Sequence, residues 1–109
     1  MIRYGDNRCA VTLKYFDIGE DLLVIITGGK EHIGAISLMD NGLYSSVVKS
    51  GHKDEMISKF VIKTISSVIN KDIAVTCGIH IDNATKDEIE TIFKNTEKCI
   101  EKFISIYRR

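Results

Sequence analysis

Val75-Thr76-Cys77-Gly78-Ile79-His80-Ile81-Asp82-Asn83-Ala84-Thr85 starts as a β-branched run and ends as a helix start. Val75, Cys77, Ile79 and Ile81, with Ile73 just upstream, occupy alternate positions and so share one face of a strand. The other face carries Ala74, Thr76, Gly78, His80 and Asp82, small residues first and polar ones later. Thr85 and Glu88 have capping-box spacing, in which the threonine oxygen accepts the N3 amide and the glutamate reaches back. A strand ending in polar groups beside a helix N-terminus suits an anion, because first-turn amides lack partners and the dipole is positive there. The same residues also describe a tightly turned, well-capped β–α junction with no ligand.

Downstream, Ile89, Ile92, Phe93, Thr96, Ile100, Phe103, Ile104 and Tyr107 hold the helical period and predict a helix over 86–107. Glu90, Lys94, Glu97, Lys98 and Glu101 form its solvated face, with some i,i+4 pairing. Upstream, Ser50-Gly51-His52-Lys53 opens a first helix whose inward stripe is Ile57, Phe60, Val61, Ile65 and Val68. Asn70 is its expected left-handed stop. Before that, Asn41-Gly42 is a strong two-residue hairpin signal between strands at 33–40 and 43–49. Such a turn pairs 40 with 43, 38 with 45, 36 with 47 and 34 with 49. Extended, the ladder sets His32 opposite Gly51, beside His52. Residues 8–16 read as a strand with Val11, Leu13 and Tyr15 on one face, and Asp17 to Glu20 have turn chemistry. Residues 22–27 are apolar on both faces, which places them centrally. They run into Gly28-Gly29, where glycines permit positive φ or close approach of a ligand.

The order is therefore ββββαβα. It implies an α+β two-layer sandwich, a mostly antiparallel five-stranded sheet with two helices on one face. Strand direction brings the Gly28-Gly29 loop, both helix starts and His32, His52 and His80 to one edge. Val11, Leu23 or Ile25, and Val48 are expected on the uncovered face, which argues for a homo-oligomer.

The chain has 109 residues, enough for one domain (1–109) that buries roughly 65% of its unfolded surface. Net charge is zero and the 15 Lys and Arg are scattered, so nothing marks a nucleic-acid interface. No apolar run reaches bilayer-spanning length and no signal-peptide core follows Met1. Cysteines at 9, 77 and 99, odd in number and without metal spacing, fit a reducing, cytoplasmic setting.

The three histidines with Asp82 or Glu31 are a conceivable divalent-metal set, but no HxH or HExxH pair occurs. Phosphate binding or acid–base chemistry suits them better. Cys77 and His80 fall on opposite strand faces, so Cys77 reads as a buried structural thiol rather than a nucleophile. Gly28-Gly29 matches neither a dinucleotide nor a P-loop pattern. Tyr4, Tyr15, Phe16 and Tyr44 are core aromatics or stacking partners for a planar ligand.

Four blocks resemble the prenylated-flavin chaperone family, typified by the small accessory subunit of the gallate decarboxylase system. They are residues 23–29, His32-Ile33-Gly34-Ala35, Gly51-His52-Lys53 and residues 77–84. One departure is Glu31, where the family leads one to expect proline. The resemblance implies a non-enzymatic protein that helps carry prenylated FMN, or FMN, from a flavin prenyltransferase to a decarboxylase. It implies Gly28 and Gly29 for close backbone approach, Gly51 and Gly78 as further cofactor-binding positions, and His32, His52 and His80 for phosphate or ribityl contacts. Lys53 would supply charge, with Asp82 and Asn83 as polar orienting groups. There are two rivals: a small metal- or histidine-dependent enzyme using the same edge, with His80 and Asp82 as an acid–base pair, and a purely structural decarboxylase subunit that binds nothing small and makes its contact through the uncovered sheet face.

Overall fold

In a computed structural model describing residues 1–49 and 54–108, the chain runs β1 (Ile2–Tyr4), β2 (Val11–Ile18), β3 (Asp21–Gly29), β4 (Ala35–Asp40), β5 (Leu43–Val48), α1 (Asp54–Ser66), β6 (Ile73–His80) and α2 (Lys86–Tyr107). Asn41 and Gly42 take positive φ, 48° and 81°, as a type I′ turn between β4 and β5 requires. The register follows: Asp40 faces Leu43, Leu38 faces Ser45 and Ile36 faces Val47. The Lys49 amide reaches the Gly34 carbonyl at 2.8 Å, continuing the ladder. The expected pairing of His32 with Gly51 lies outside the described residues.

The sheet differs from the expected one in two ways. It has six strands, in the order β1-β2-β3-β6-β4-β5, and it is mixed, because β3 and β6 run parallel. The extra strand, β1, is three residues long and too short to show a period; it is held by pairing Ile2 with Leu13 and Tyr4 with Val11. The parallel pair arises because β6 inserts between β3 and β4, an insertion that no local pattern announces. Central placement of the second apolar strand holds: β3 lies between β2 and β6.

Both helices cover one face, as expected, and the molecule measures 39 × 31 × 19 Å, a sheet plus one helical layer. Val11, Leu13, Val24, Ile26, Val75 and Cys77 on the strands meet Ile57, Val61, Ile62 and Ile65 of α1 and Ile92, Cys99, Ile100 and Phe103 of α2. Phe60 and Phe93 join the two helices, with ring centroids 6.1 Å apart. Thr85 and Glu88 form the capping box in full.

Several boundary expectations are corrected. α1 ends at Ser66, where the Ser66 and Ser67 hydroxyls turn back to the Lys63 and Thr64 carbonyls. Asn70 therefore caps nothing; the non-glycine residues with positive φ among those described are Asn41 and Asn83. Val68 and Ile89, expected inside, are 43% and 48% exposed. Val11 is fully buried under the helices, and Val48 shares the helix-side row with Ala35. The open face instead carries Phe16, Leu23, Ile25, Ile36, Leu38 and Val47, in rows that follow the register across the sheet. Among the described residues no helix is long and apolar enough to cross a membrane.

Candidate functional site

β3 and β6 end side by side, with Gly29 opposite His80. The chain leaving β3 must reach β4, and β6 lies between them. Residues 30–34 make that crossing, pinned where the Lys30 amide donates to the His80 carbonyl (2.8 Å) and the Gly34 amide to the Cys77 carbonyl (2.9 Å). No side chain fits beneath. A Cβ on Gly78 would sit 1.5 Å from the His32 carbonyl oxygen, and one on Gly34 would sit 1.9 Å from Asp54 Oδ2. Gly29 has φ 59°, and a Cβ there would meet the His80 carbonyl at 2.2 Å; a Cβ on Gly28 would meet the Ala10 carbonyl at 2.8 Å. The close approach expected at Gly28 and Gly29, like that at Gly78, is thus used by the protein's own backbone.

The crossing delivers His32 to its partners. Its Nδ1 donates to the Lys30 carbonyl (3.0 Å), and its Nε2 faces Asp54 Oδ2 at 3.1 Å. Asp54 opens α1, is almost fully buried, and accepts the Ile79 amide at 2.9 Å through its other oxygen. One carboxylate therefore joins the first helix, the crossing and the last strand. Asp54 was not among the expected site residues. An acid in the first turn of a helix is so common a feature of helix starts that it carries no signal of burial.

The His32 and His80 rings lie edge to face, centroids 6.4 Å apart. The half-exposed His80 pairs through Nε2 with Oδ1 of the exposed Asp82 at 3.0 Å. Asn83 is exposed and adopts φ 52°; it bends the chain from β6 toward α2. Gly28, Gly29, His32, Gly78, His80 and Asp82 are therefore gathered at one edge, with both helix starts. Gly51, His52 and Lys53 lie outside the described residues. Glu31 faces back to β3, accepting a hydrogen bond from the Thr27 hydroxyl.

Between the starts of α1 and α2 opens a cavity of about 700 Å³. Its walls are mainly apolar, with Ile57, Ile79, Ile81, Ile89, Ile92 and Phe93, while His80 and Asp54 stand at its rim. Sequence periodicity assigned Ile89 and Phe93 to the core, because a helical stripe does not say where the covering layer stops. A larger groove lies at the opposite edge, shaped by the β2–β3 and β4–β5 turns around Asn41, Asn70 and Asp72, far from either histidine in the sheet.

Reactive groups are scarce here. Cys77 is buried, and burial first, then the Asp54 carboxylate 3.9 Å from its sulfur, pushes its thiol far up. It is a packing residue, as its face of the strand foretells. Among the described residues no group of three His, Cys, Asp or Glu side chains is placed to hold a metal ion.

Comparison with known proteins adds two findings. Residues 5–108 match a family described as the prenylated flavin chaperone LpdD-like domain. The chain is also 32% identical over 95 residues to protein LpdD of Lactiplantibacillus plantarum (strain ATCC BAA-793 / NCIMB 8826 / WCFS1), covering 81% of this chain and 70% of that one.

Proposed function

The chain belongs to the prenylated flavin chaperone LpdD-like family, and from that premise we propose that it binds prenylated FMN, or FMN, at the histidine edge and delivers it to a decarboxylase. The apolar cavity between the helix starts carries this reading. A flavin ring system is planar and largely apolar, and about 700 Å³ is within the range of pockets that hold such ligands. His80 in its lining supplies a hydrogen-bonding group for the polar end of the flavin. The chemistry belongs to the flavin and to the enzyme that receives it. This chain supplies shape and hydrogen bonds, and its one buried thiol at the edge is held unreactive. A flavin prenyltransferase and a decarboxylase are the partner kinds this role needs, in a cytoplasmic setting.

The His80–Asp82 pair favours a second reading, a small acid–base enzyme at the same edge. Both side chains are well exposed, so water screens them and little holds the pair fixed. Stoichiometric metal with no flavin in the purified protein would favour this rival.

The test is flavin titration followed by fluorescence, alongside thermal melting. His80→Ala and Ile89→Glu should each weaken binding roughly tenfold, the effect of losing one charge-assisted hydrogen bond or charging an apolar wall, with the fold intact. Co-expression with a flavin prenyltransferase should give a yellow preparation that yields its flavin to an apo-decarboxylase. Wild-type affinity in His32→Ala, His80→Ala and Ile89→Glu alike would overturn the site.

A further inference from the structure

On the open side of the sheet, where β1, β2 and β3 meet, lies a second pocket of about 350 Å³, lined by Arg3, Arg8, Thr12, Lys14, Gly29 and Glu31 among others. The register explains its charge. Arg3 faces Thr12 across the β1–β2 ladder, and Thr12 faces Thr27 across the β2–β3 ladder. Lys14, two residues along β2, points to the same side. Two cations thus flank one threonine.

Their partners are missing. Neither Arg3 nor Lys14 has a carboxylate within ion-pair reach among the described residues. Arg8 is already compensated by a bidentate bond to Glu88, at 2.7 and 2.8 Å. Glu31, the acid in the lining, is held back against β3 by the Thr27 hydroxyl. The pocket is therefore net positive and mostly polar, with two exposed cations converging without a counter-charge.

We propose that this pocket binds a phosphate monoester group, with Arg3 and Lys14 as its charged donors. Arginine offers a planar fork to two phosphate oxygens, and lysine a point charge that adapts to the third. The position suits a handover role. Gly29 lines this pocket while its ladder partner His80 lines the apolar cavity, so the two sites meet at one strand end. The phosphate has two sources to choose between, the tail of a flavin nucleotide or a separate phosphorylated ligand. Affinity for phosphate itself does not depend on the flavin reading.

Inorganic phosphate titrated into the full chain, followed by amide shifts in a two-dimensional nitrogen–proton spectrum, is the direct test. Shifts centred on Thr12, Gly28 and Gly29 are expected, and the exposed double variant Arg3→Gln/Lys14→Gln should bind at least about tenfold more weakly with an unchanged melting temperature. Displacement of phosphate by FMN but not by riboflavin identifies the flavin tail as the source; phosphate that stays bound beside FMN identifies a separate ligand. No shifts at these amides, or equal affinity in the double variant, overturns the proposal. A failure of FMN to bind at all would remove the flavin reading and leave the phosphate result standing.

Discussion

Asp54 Oδ2 lies 3.1 Å from His32 Nε2, and the same carboxylate accepts the Ile79 amide through Oδ1 at 2.9 Å. Residues 22 and 25 positions away are thus tied to one side chain that is 4% exposed. The tie fixes where the crossing at residues 30–34 sits relative to the last strand. It also holds the ring of His32, which lies edge to face with His80.

Removing it should be costly. Asp54→Ala leaves the Ile79 amide without its acceptor and removes the carboxylate facing His32 Nε2, in a site largely closed to water. Stability should fall by about 2–4 kcal/mol in urea unfolding, given about 1–3 kcal/mol for each buried group left unsatisfied. Asp54→Asn keeps an acceptor for Ile79 and should lose less than half as much. Equal losses in the two variants would show that the charge, and not the hydrogen-bond geometry, holds the junction.

Gly78 makes a sharper case. A Cβ there would overlap the His32 carbonyl at 1.5 Å, and the obstacle is backbone, which cannot rotate away. Gly78→Ala should therefore displace the crossing and cost roughly 3 kcal/mol or more. Gly42 is the control, since a Cβ there meets nothing within 4 Å and only the positive φ is penalised. Gly42→Ala should cost about 1–2 kcal/mol. A thermal melt of each variant separates steric exclusion from backbone strain.

Much of this arrangement was legible in the residues, for reasons that differ from place to place. Asn41-Gly42 sets its register locally, so every pair along β4 and β5 could be named in advance. Thr85 and Glu88 are equally local, and α2 begins and ends where its period and cap indicate. β6 was recognised as a strand, but its insertion between β3 and β4 depends on pairings far apart in sequence, such as Leu22 with Ile73 and Met39 with Ile73. That insertion turns the glycines from a ligand cradle into a backbone crossing. The convergence of His32 and His80 survived the error, because both lie at the same strand ends under either topology. Asp54 stayed hidden since burial of an N-terminal acid shows only once its partners are folded over it.

The first turn of α2 predicts a pH dependence. Glu88 is held down to about 2, chiefly by the bidentate Arg8 guanidinium and then by the Thr85 amide. An unfolded glutamate titrates near about 4.3, so the folded state binds its proton less readily. The stabilisation from Glu88 is then complete above that value and is lost as pH falls toward about 2. Wild type should melt above Glu88→Gln at pH 6, with the gap narrowing between about pH 4.5 and 2. A gap that stays constant across this range would mean that the glutamate acts through packing alone.

The open sheet face carries the remaining expectation, assembly. Leu23 and Ile25 on β3 and Ile36 and Leu38 on β4 flank β6 on the side that neither helix covers, and Ile36 and Leu38 are 43% and 44% exposed. Two rows run across the sheet here: Phe16, Leu23, Ala74, Leu38 and then Ile25, Thr76, Ile36, Val47. Their small central members, Ala74 and Thr76, leave a shallow surface, well shaped for stacking on another sheet about 10 Å away. A contiguous apolar face of this kind in a monomer is a liability for aggregation, so we expect it to pair with a second copy. Light scattering at micromolar concentration should give a dimer or higher species. Ile25→Lys/Leu38→Lys should shift it to monomer while leaving the helix-side core and the His32–His80 edge untouched, because these side chains point away from both. Flavin affinity measured on that monomer then separates assembly from binding: unchanged affinity places the ligand site within one chain, and a loss would place part of it across the interface. A wild-type protein that stays monomeric removes the assembly argument outright.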